Sequence, residues 1–204
     1  KRAGGDDHGG VLPAHDTHFL RPRRRAGPTR DIREACWTDP ENSGPVTIRP
    51  MREPDVSSCA AIMHASPLWV RYGITTLEAA RRALGDMLAG TCLGFVAEDA
   101  GGVIGFVVYA VEGTFIHSGY VRSVAVARDA QRRGVGGRLM DAAEAAILGR
   151  GPNVFLLVSA RNTDAQRFYE RRGYRRVGEI PDYVRRGITE CLYRKTRGPI
   201  EGGV

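Results

Sequence analysis

Tyr120–Gly137 reads YVRSVAVARDAQRRGVGG, and the order of residue types along it sets the frame for the whole chain. Val121, Val124 and Val126 with Ala125 make an apolar, partly β-branched run suited to a buried strand. Arg128-Asp129-Ala130 reads as a turn. Gln131 to Gly137 then opens a helix whose apolar positions Val135, Leu139, Ala143 and Ile147 recur at helical spacing. Gly134, Gly136 and Gly137 carry no side chains, so a ligand can approach the backbone there. The first N–H groups of a helix lack internal partners and carry the positive end of its dipole. Such a start suits a phosphate, and Arg132 and Arg133 add positive charge.

The residues that follow continue the alternation of strand and helix. Gly149 and Gly151-Pro152 end the helix. Asn153–Ala160, NVFLLVSA, is long and apolar enough for a buried strand. Asn162-Thr163-Asp164 supplies cap chemistry for a short helix over Ala165–Arg172, stopped by Gly173, with Phe168 and Tyr169 on its apolar side.

Together the segments VRSVAVARDAQRRGVGGRLM and NVFLLVSARNTDAQRFYERRGY resemble the GNAT superfamily of acetyl-CoA-dependent N-acetyltransferases. The resemblance spans about residues 46–196 and is sharp from residue 92 onward. It implies a mixed α/β (α+β) fold: a mostly antiparallel twisted sheet, splayed at the cofactor site and flanked by about four helices. It implies that Val124, Ala125 and Val126 offer backbone groups to a pantetheine arm. Gln131 and the backbone of Arg132, Arg133, Gly134, Val135, Gly136 and Gly137 would form the pyrophosphate cradle. Asn162 would contact the cofactor arm, and Tyr169 would stand near the thioester sulfur. The implied co-substrate is acetyl-CoA, with no metal, and the implied partner is an amine-bearing protein or small molecule.

Acetyl transfer to an amine needs a deprotonated amine, a stabilised carbonyl oxygen and a partner for the departing thiolate. Tyr169 suits the third role: a phenol of ordinary pKa ~10 can donate to a thiolate whose parent thiol lies near ~8.5. A backbone N–H in Val124–Val126 suits the second. For the first, the family positions that hold a glutamate in some relatives are occupied here by Leu157 and Tyr120. That leaves His117, Tyr120 or Glu112 as relays through water. The acceptor site is expected from Pro67–Gly73 and the last hairpin, with Trp69, Tyr72, Tyr120 and Tyr183 as its aromatic residues. Trp69 reads equally as an anchor for the first helix, and Asp182 as an amine attractor or a turn residue.

Further upstream, Pro54 fits the start of a helix running to about Ala65 with Val56, Ala60 and Met63 inward. Thr75-x-x-Glu78 has the form of a capping box before a second helix carrying Leu77, Ala80, Leu84 and Leu88. Leu93–Glu98 and Val103–Val111 read as a hairpin around Ala100-Gly101-Gly102, and Arg175–Ile180 with Ile188–Tyr193 as a final antiparallel pair.

The 204 residues are 42% hydrophobic with a net charge of +7, which suits one globular domain with an extension. Residues 1–45 read as a disordered or loosely attached extension, 46–196 as the domain and 197–204 as a tail. Lysine occurs only at Lys1 and Lys195, so the charge is almost all arginine and resembles composition bias more than a nucleic-acid footprint; RPRRRAGPTR at residues 21–30 reads as a solvated linker. No apolar run approaches the ~20 residues of a membrane span, and no secretory leader is visible. Cys36, Cys59, Cys92 and Cys191 have no metal-ligand spacing and read as small residues of a reducing, cytoplasmic protein. His8, His15 and His18 propose no metal site. A homodimer is left open. The rival reading is a non-catalytic acyl-CoA-binding regulatory domain of the same fold. A nucleotide-binding module is disfavoured, because neither G-x-G-x-x-G nor G-x-x-x-x-G-K-[ST] is present.

Overall fold

The computed structural model describes residues 46–200. The extension expected at residues 1–45, with Cys36, the arginine-rich linker and its histidines, lies outside the described residues, as do residues 201–204 of the tail.

The chain runs β1 (Thr47–Pro50), α1 (Asp55–His64), α2 (Pro67–Arg71), α3 (Leu77–Leu88), β2 (Leu93–Asp99), β3 (Gly102–Ala110), β4 (Ser118–Val126), a single 3₁₀ turn (Arg128–Ala130), α4 (Val135–Leu148), β5 (Asn153–Ser159), α5 (Thr163–Arg171), β6 (Arg175–Pro181) and β7 (Thr189–Thr196). The strands form one sheet in the order β1-β2-β3-β4-β5-β7-β6. Every pairing is antiparallel except β4 with β5. A parallel pair needs a crossover, and α4 supplies it.

Alternation along the strands sorts the core onto two faces. Val96, Phe106 and Val108 pack with Cys59, Ala60, Met63, Ala80 and Leu84 of α1 and α3. Phe95, Ala97, Val107 and Tyr109 point the other way and pack with Val135, Leu139, Met140, Ala143 and Ile147 of α4. The period of two in the strands meets the 3.6 period of the helices, and each face closes a layer. The contact of α4 with β4 is close. A Cβ at Gly119 would sit 2.4 Å from Ile147 Cγ2 and 2.7 Å from the Ala110 carbonyl oxygen.

Three local readings need correction. Pro67–Arg71, expected as a connection, is a helical turn entered through Ser66 with Pro67 in its first turn, where a missing N–H costs nothing. The cap of α3 is Thr76: its Oγ1 accepts from Ala79 N at 3.1 Å. Thr75 lies one residue too early for its hydroxyl to serve the N3 amide. Leu77, expected on the inner face, is exposed, while Ala80 and Leu84 are buried.

The sheet opens at its centre. β4 and β5 pair only over Ser118–Val121 and Asn153–Leu156. Beyond that point β4 stays with β3 as far as Val126, and β5 stays with β7 as far as Ser159. The register of β3 with β4 slips between Val108–Ser123 and Tyr109–Val121, leaving Arg122 as the extra residue. Such a bulge bends and twists the strand that carries it, and here it falls where β4 leaves β5. Among the described residues, no helix is long and apolar enough to cross a membrane.

Candidate active site

The parting of β4 and β5 opens a cleft of about 980 Å³, large enough for an extended cofactor together with a small acceptor group. One flank is formed by Val124, Ala125 and Val126 of β4, with Gln131, Arg132 and Gly136 at the start of α4. Gln131 Nε2 donates to the Val126 carbonyl oxygen at 3.2 Å, tying the turn back to the strand. Arg132 and Gly134 take positive φ values of 64° and 78°. This left-handed backbone is easy for Gly134, and it swings the chain so that α4 begins pointing at the cleft. No side chain caps α4. Among the described residues, none of the backbone N–H groups from Arg132 to Gly137 donates a hydrogen bond, so the positive end of a 14-residue helix is unquenched.

The side chains of this turn divide in direction. Arg132 lines the cleft, whereas Arg133 reaches Asp99 of β2 at 3.5 Å and Val135 is buried in the core. Gly134 and Gly137 lie off the lining. At Gly136 an added Cβ would meet only Val126 Cγ2 at 3.6 Å and Phe168 Cζ at 3.9 Å, so the space above the backbone is open. An uncapped helix start, an open glycine and Arg132, which forms no ion pair among the described residues, fit a pyrophosphate group.

The opposite flank is α5. Asn162 caps it, accepting from Ala165 N through Oδ1 at 3.2 Å, which leaves the side-chain NH₂ available. Tyr169, two turns on, is only 7% exposed yet lines the cleft. Its ring is wedged between Phe168 and Tyr174, with centroids 5.3 and 5.7 Å away. Burial, then the nearby Tyr120, push its phenol above the ordinary range, with Arg172 opposing. The hydroxyl therefore keeps its proton at neutral pH and can only donate to an anion that forms beside it.

The third wall holds the aromatic residues expected for the acceptor. Trp69, Tyr72, Tyr120 and Tyr183 all line the cleft. Trp69 also packs against the α1–α3 core and sits 6.1 Å from Tyr72, so it anchors the core and lines the cleft at once. Asp182 is a turn residue: it has φ 54° and accepts from Gly187 N. Glu112 and His117 lie outside the cleft lining, as do Cys59, Cys92 and Cys191, whereas Leu157 and Tyr120 face the cleft without a carboxylate.

The carboxylate in this wall is one that residue spacing did not single out. Glu190 of β7 lies opposite Ser159 of β5 and Ile180 of β6. It lines the cleft and is 3% exposed. Tyr72 donates its hydroxyl hydrogen to Glu190 Oε1 at 2.6 Å. Burial and then this carboxyl push the Tyr72 phenol up to about 12. Tyr120 is likewise pushed up to about 12, by burial first and then by Tyr183, with Glu190 adding to the rise. Among the described residues, no three or more His, Cys, Asp and Glu side chains are grouped to hold a metal ion.

Residues 90–176 match the family model described as acetyltransferase (GNAT) domain, a segment that contains β4, the glycine turn, α4, β5 and α5. No curated relative matches the chain in sequence. Solved structures share its fold. Ard1 from Thermoplasma volcanium superposes with a TM-score of 0.60 at 24% identity, over 75% of this chain and 98% of that one. The ribosomal-protein-S18-alanine N-acetyltransferase from Escherichia coli gives 0.60 at 18% identity, over 78% and 99%. An aminoglycoside 6'-N-acetyltransferase complexed with coenzyme A gives 0.59 at 15%, over 76% and 99%. The matched segment supplies the parted strands, the glycine turn and the α5 flank of the cleft, and over those residues the chain is similar to a GNAT acetyltransferase domain.

Proposed function

We propose that the protein transfers an acetyl group from acetyl-CoA to a primary amine by direct attack, with both substrates in the cleft at once. The observation that carries this reading is the gap between Arg122–Val126 of β4 and Leu157–Ser159 of β5. It exposes the unpaired edge of β4 to a pantetheine arm, just as an added strand would use it. The pyrophosphate is held at the start of α4, and the thioester is laid between β4 and Tyr169. The amine enters from the wall of Trp69, Tyr72, Tyr120 and Tyr183.

The bonds then change as follows. The ammonium form of the acceptor first loses one proton to water, its freed nitrogen lone pair attacks the thioester carbonyl carbon, and the nitrogen gives up a second proton to water as the amide forms. A C–N bond forms as the carbonyl oxygen gains charge, and a backbone N–H of Val124–Val126 stabilises it. The C–S bond breaks, and the departing thiolate takes the proton of the Tyr169 hydroxyl. Water restores that proton. Placing both reactants in one cleft supplies much of the rate through orientation alone.

The same fold without acceptor chemistry would serve as an acyl-CoA-binding regulatory domain. Thiol release from acetyl-CoA, measured with and without a panel of amines, separates the two. Release that rises with amine concentration supports the transferase. Binding of acetyl-CoA with amine-independent release supports the regulatory domain.

A further inference from the structure

We propose that Glu190 is the docking point for the acceptor's ammonium group, and that the acceptor is a primary amine with one positive charge next to an apolar group. The inference rests on the transferase reading above, because Glu190 stands with the aromatic wall assigned there to the acceptor amine.

The argument starts from what a buried carboxyl group requires. Removing a carboxylate from water is costly unless a cation or several hydrogen bonds replace the water. Glu190 is buried, yet its hydrogen-bond partner among the described residues is the Tyr72 hydroxyl alone. No ion pair to Glu190 forms among those residues, although other carboxylates of the chain, Asp55 and Glu144 among them, each pair with an arginine or lysine. Its strand neighbours on the same face, Ile180 and Leu192, are apolar and line the same cleft. One acceptor oxygen is therefore held by Tyr72, and although the Ser159 hydroxyl lies on the neighbouring strand, no second hydrogen bond to the Glu190 carboxyl forms among the described residues. An ammonium supplies what is missing: a charge, and up to three N–H donors.

The walls limit what can carry that ammonium. Asp164 also lines the cleft, but it belongs to the first turn of α5 and pairs with Arg167 at the surface. Glu190 is thus the buried carboxylate of the cleft, enough for one positive charge and too little for a polycation. Around the mouth stand Phe115, Tyr183 and Val184, which line the cleft while remaining 57%, 63% and 51% exposed. Large apolar side chains exposed together at a cleft mark a surface meant to be covered. Phe115 is held there by an edge contact with Phe155 at 4.9 Å. A peptide whose first residue is apolar and a small aralkylamine both present this chemistry.

The test reads binding, so it does not depend on turnover. Protein loaded with coenzyme A is titrated with phenethylammonium and with its uncharged counterpart phenethyl alcohol, and the two affinities are compared by NMR. A second arm uses a Leu-initiated peptide with a free or an acetylated amino terminus. Wild type should prefer the charged member by about tenfold to hundredfold, the range of a charge-assisted hydrogen bond. Glu190→Gln keeps the size and the link to Tyr72 and should bring that ratio to within about twofold, with coenzyme A affinity unchanged. The arm with the larger ratio identifies peptide or small amine. A wild type without preference, or a preference that survives in Glu190→Gln, overturns the proposal. Loss of coenzyme A binding in wild type would instead overturn the transferase reading.

Discussion

Tyr72 and Glu190 are 118 positions apart in sequence, and the hydroxyl of one donates to the carboxyl of the other at 2.6 Å. This bond ties the end of α2 to the start of β7, across the half of the sheet that α1 and α3 do not cover. It buries a carboxyl group and orients it at the same time.

Removing one member of that pair should therefore cost more than a surface hydrogen bond. Tyr72→Phe leaves Glu190 buried with no partner, at a penalty of about 1–3 kcal/mol. Chemical denaturation should show a loss in that range. A loss below about 0.5 kcal/mol would mean that water reaches Glu190 and that its burial is only partial.

Gly136→Asp separates folding from cofactor binding. The added Cβ meets nothing closer than 3.6 Å, and a carboxylate in the first turn of a helix is favourable to the helix itself. The same charge would repel a pyrophosphate and fill its place. The expected outcome is an unchanged melting temperature with acetyl-CoA binding lost in calorimetric titration. Unchanged affinity would remove the start of α4 from the cofactor site.

Tyr169→Phe deletes one oxygen and keeps the ring between Phe168 and Tyr174. Turnover should fall by roughly 10-fold to 1000-fold, around the range of one acid–base group, with nearly constant KM for acetyl-CoA. The pH dependence follows from the direction of its shift. Burial raises the phenol above its ordinary ~10, so the donating form is complete at neutral pH and is lost only as pH rises through the raised value. The wild-type rate should show no decline assignable to this group below about pH 10. Turnover within twofold of wild type, with chemistry rate-limiting, would make Tyr169 a packing residue.

The start of α3 gives a stability test that distinguishes neighbouring threonines. Thr76→Ala removes the cap on Ala79 N and should cost about 1 kcal/mol. Thr75→Ala should cost almost nothing. The reverse order would restore the capping box that the spacing of Thr75 and Glu78 suggests.

That pair of threonines shows where local pattern stops. The segment from Tyr120 to Tyr174 was legible because β-branched runs, glycine stops and the Asn162 cap each act within a few residues. The hairpin of β2 and β3 was legible for the same reason. Helix α2 was not, since five residues are too few to show a period. Glu190 was hidden for a different reason. In TECLYR it alternates with Cys191 and reads as the solvent side of a strand. Its burial comes from the fold, which sets it between β5 and β6 and brings the Tyr72 hydroxyl to it. The splay of the sheet followed from family resemblance alone, because the bulge at Arg122 leaves no mark in composition or spacing.

The central claim is that the cleft joins acetyl-CoA and an amine in one reaction. The most direct measurement incubates the protein with isotopically labelled acetyl-CoA and a mixture of free-amine peptides and small amines, then weighs every acceptor by mass spectrometry. The account predicts one labelled acetyl group on a primary amine, in an amount matching the coenzyme A released, and none in the Tyr169→Phe and Gly136→Asp variants beyond their reduced rates. Folded protein that binds acetyl-CoA yet leaves every amine unlabelled would contradict it.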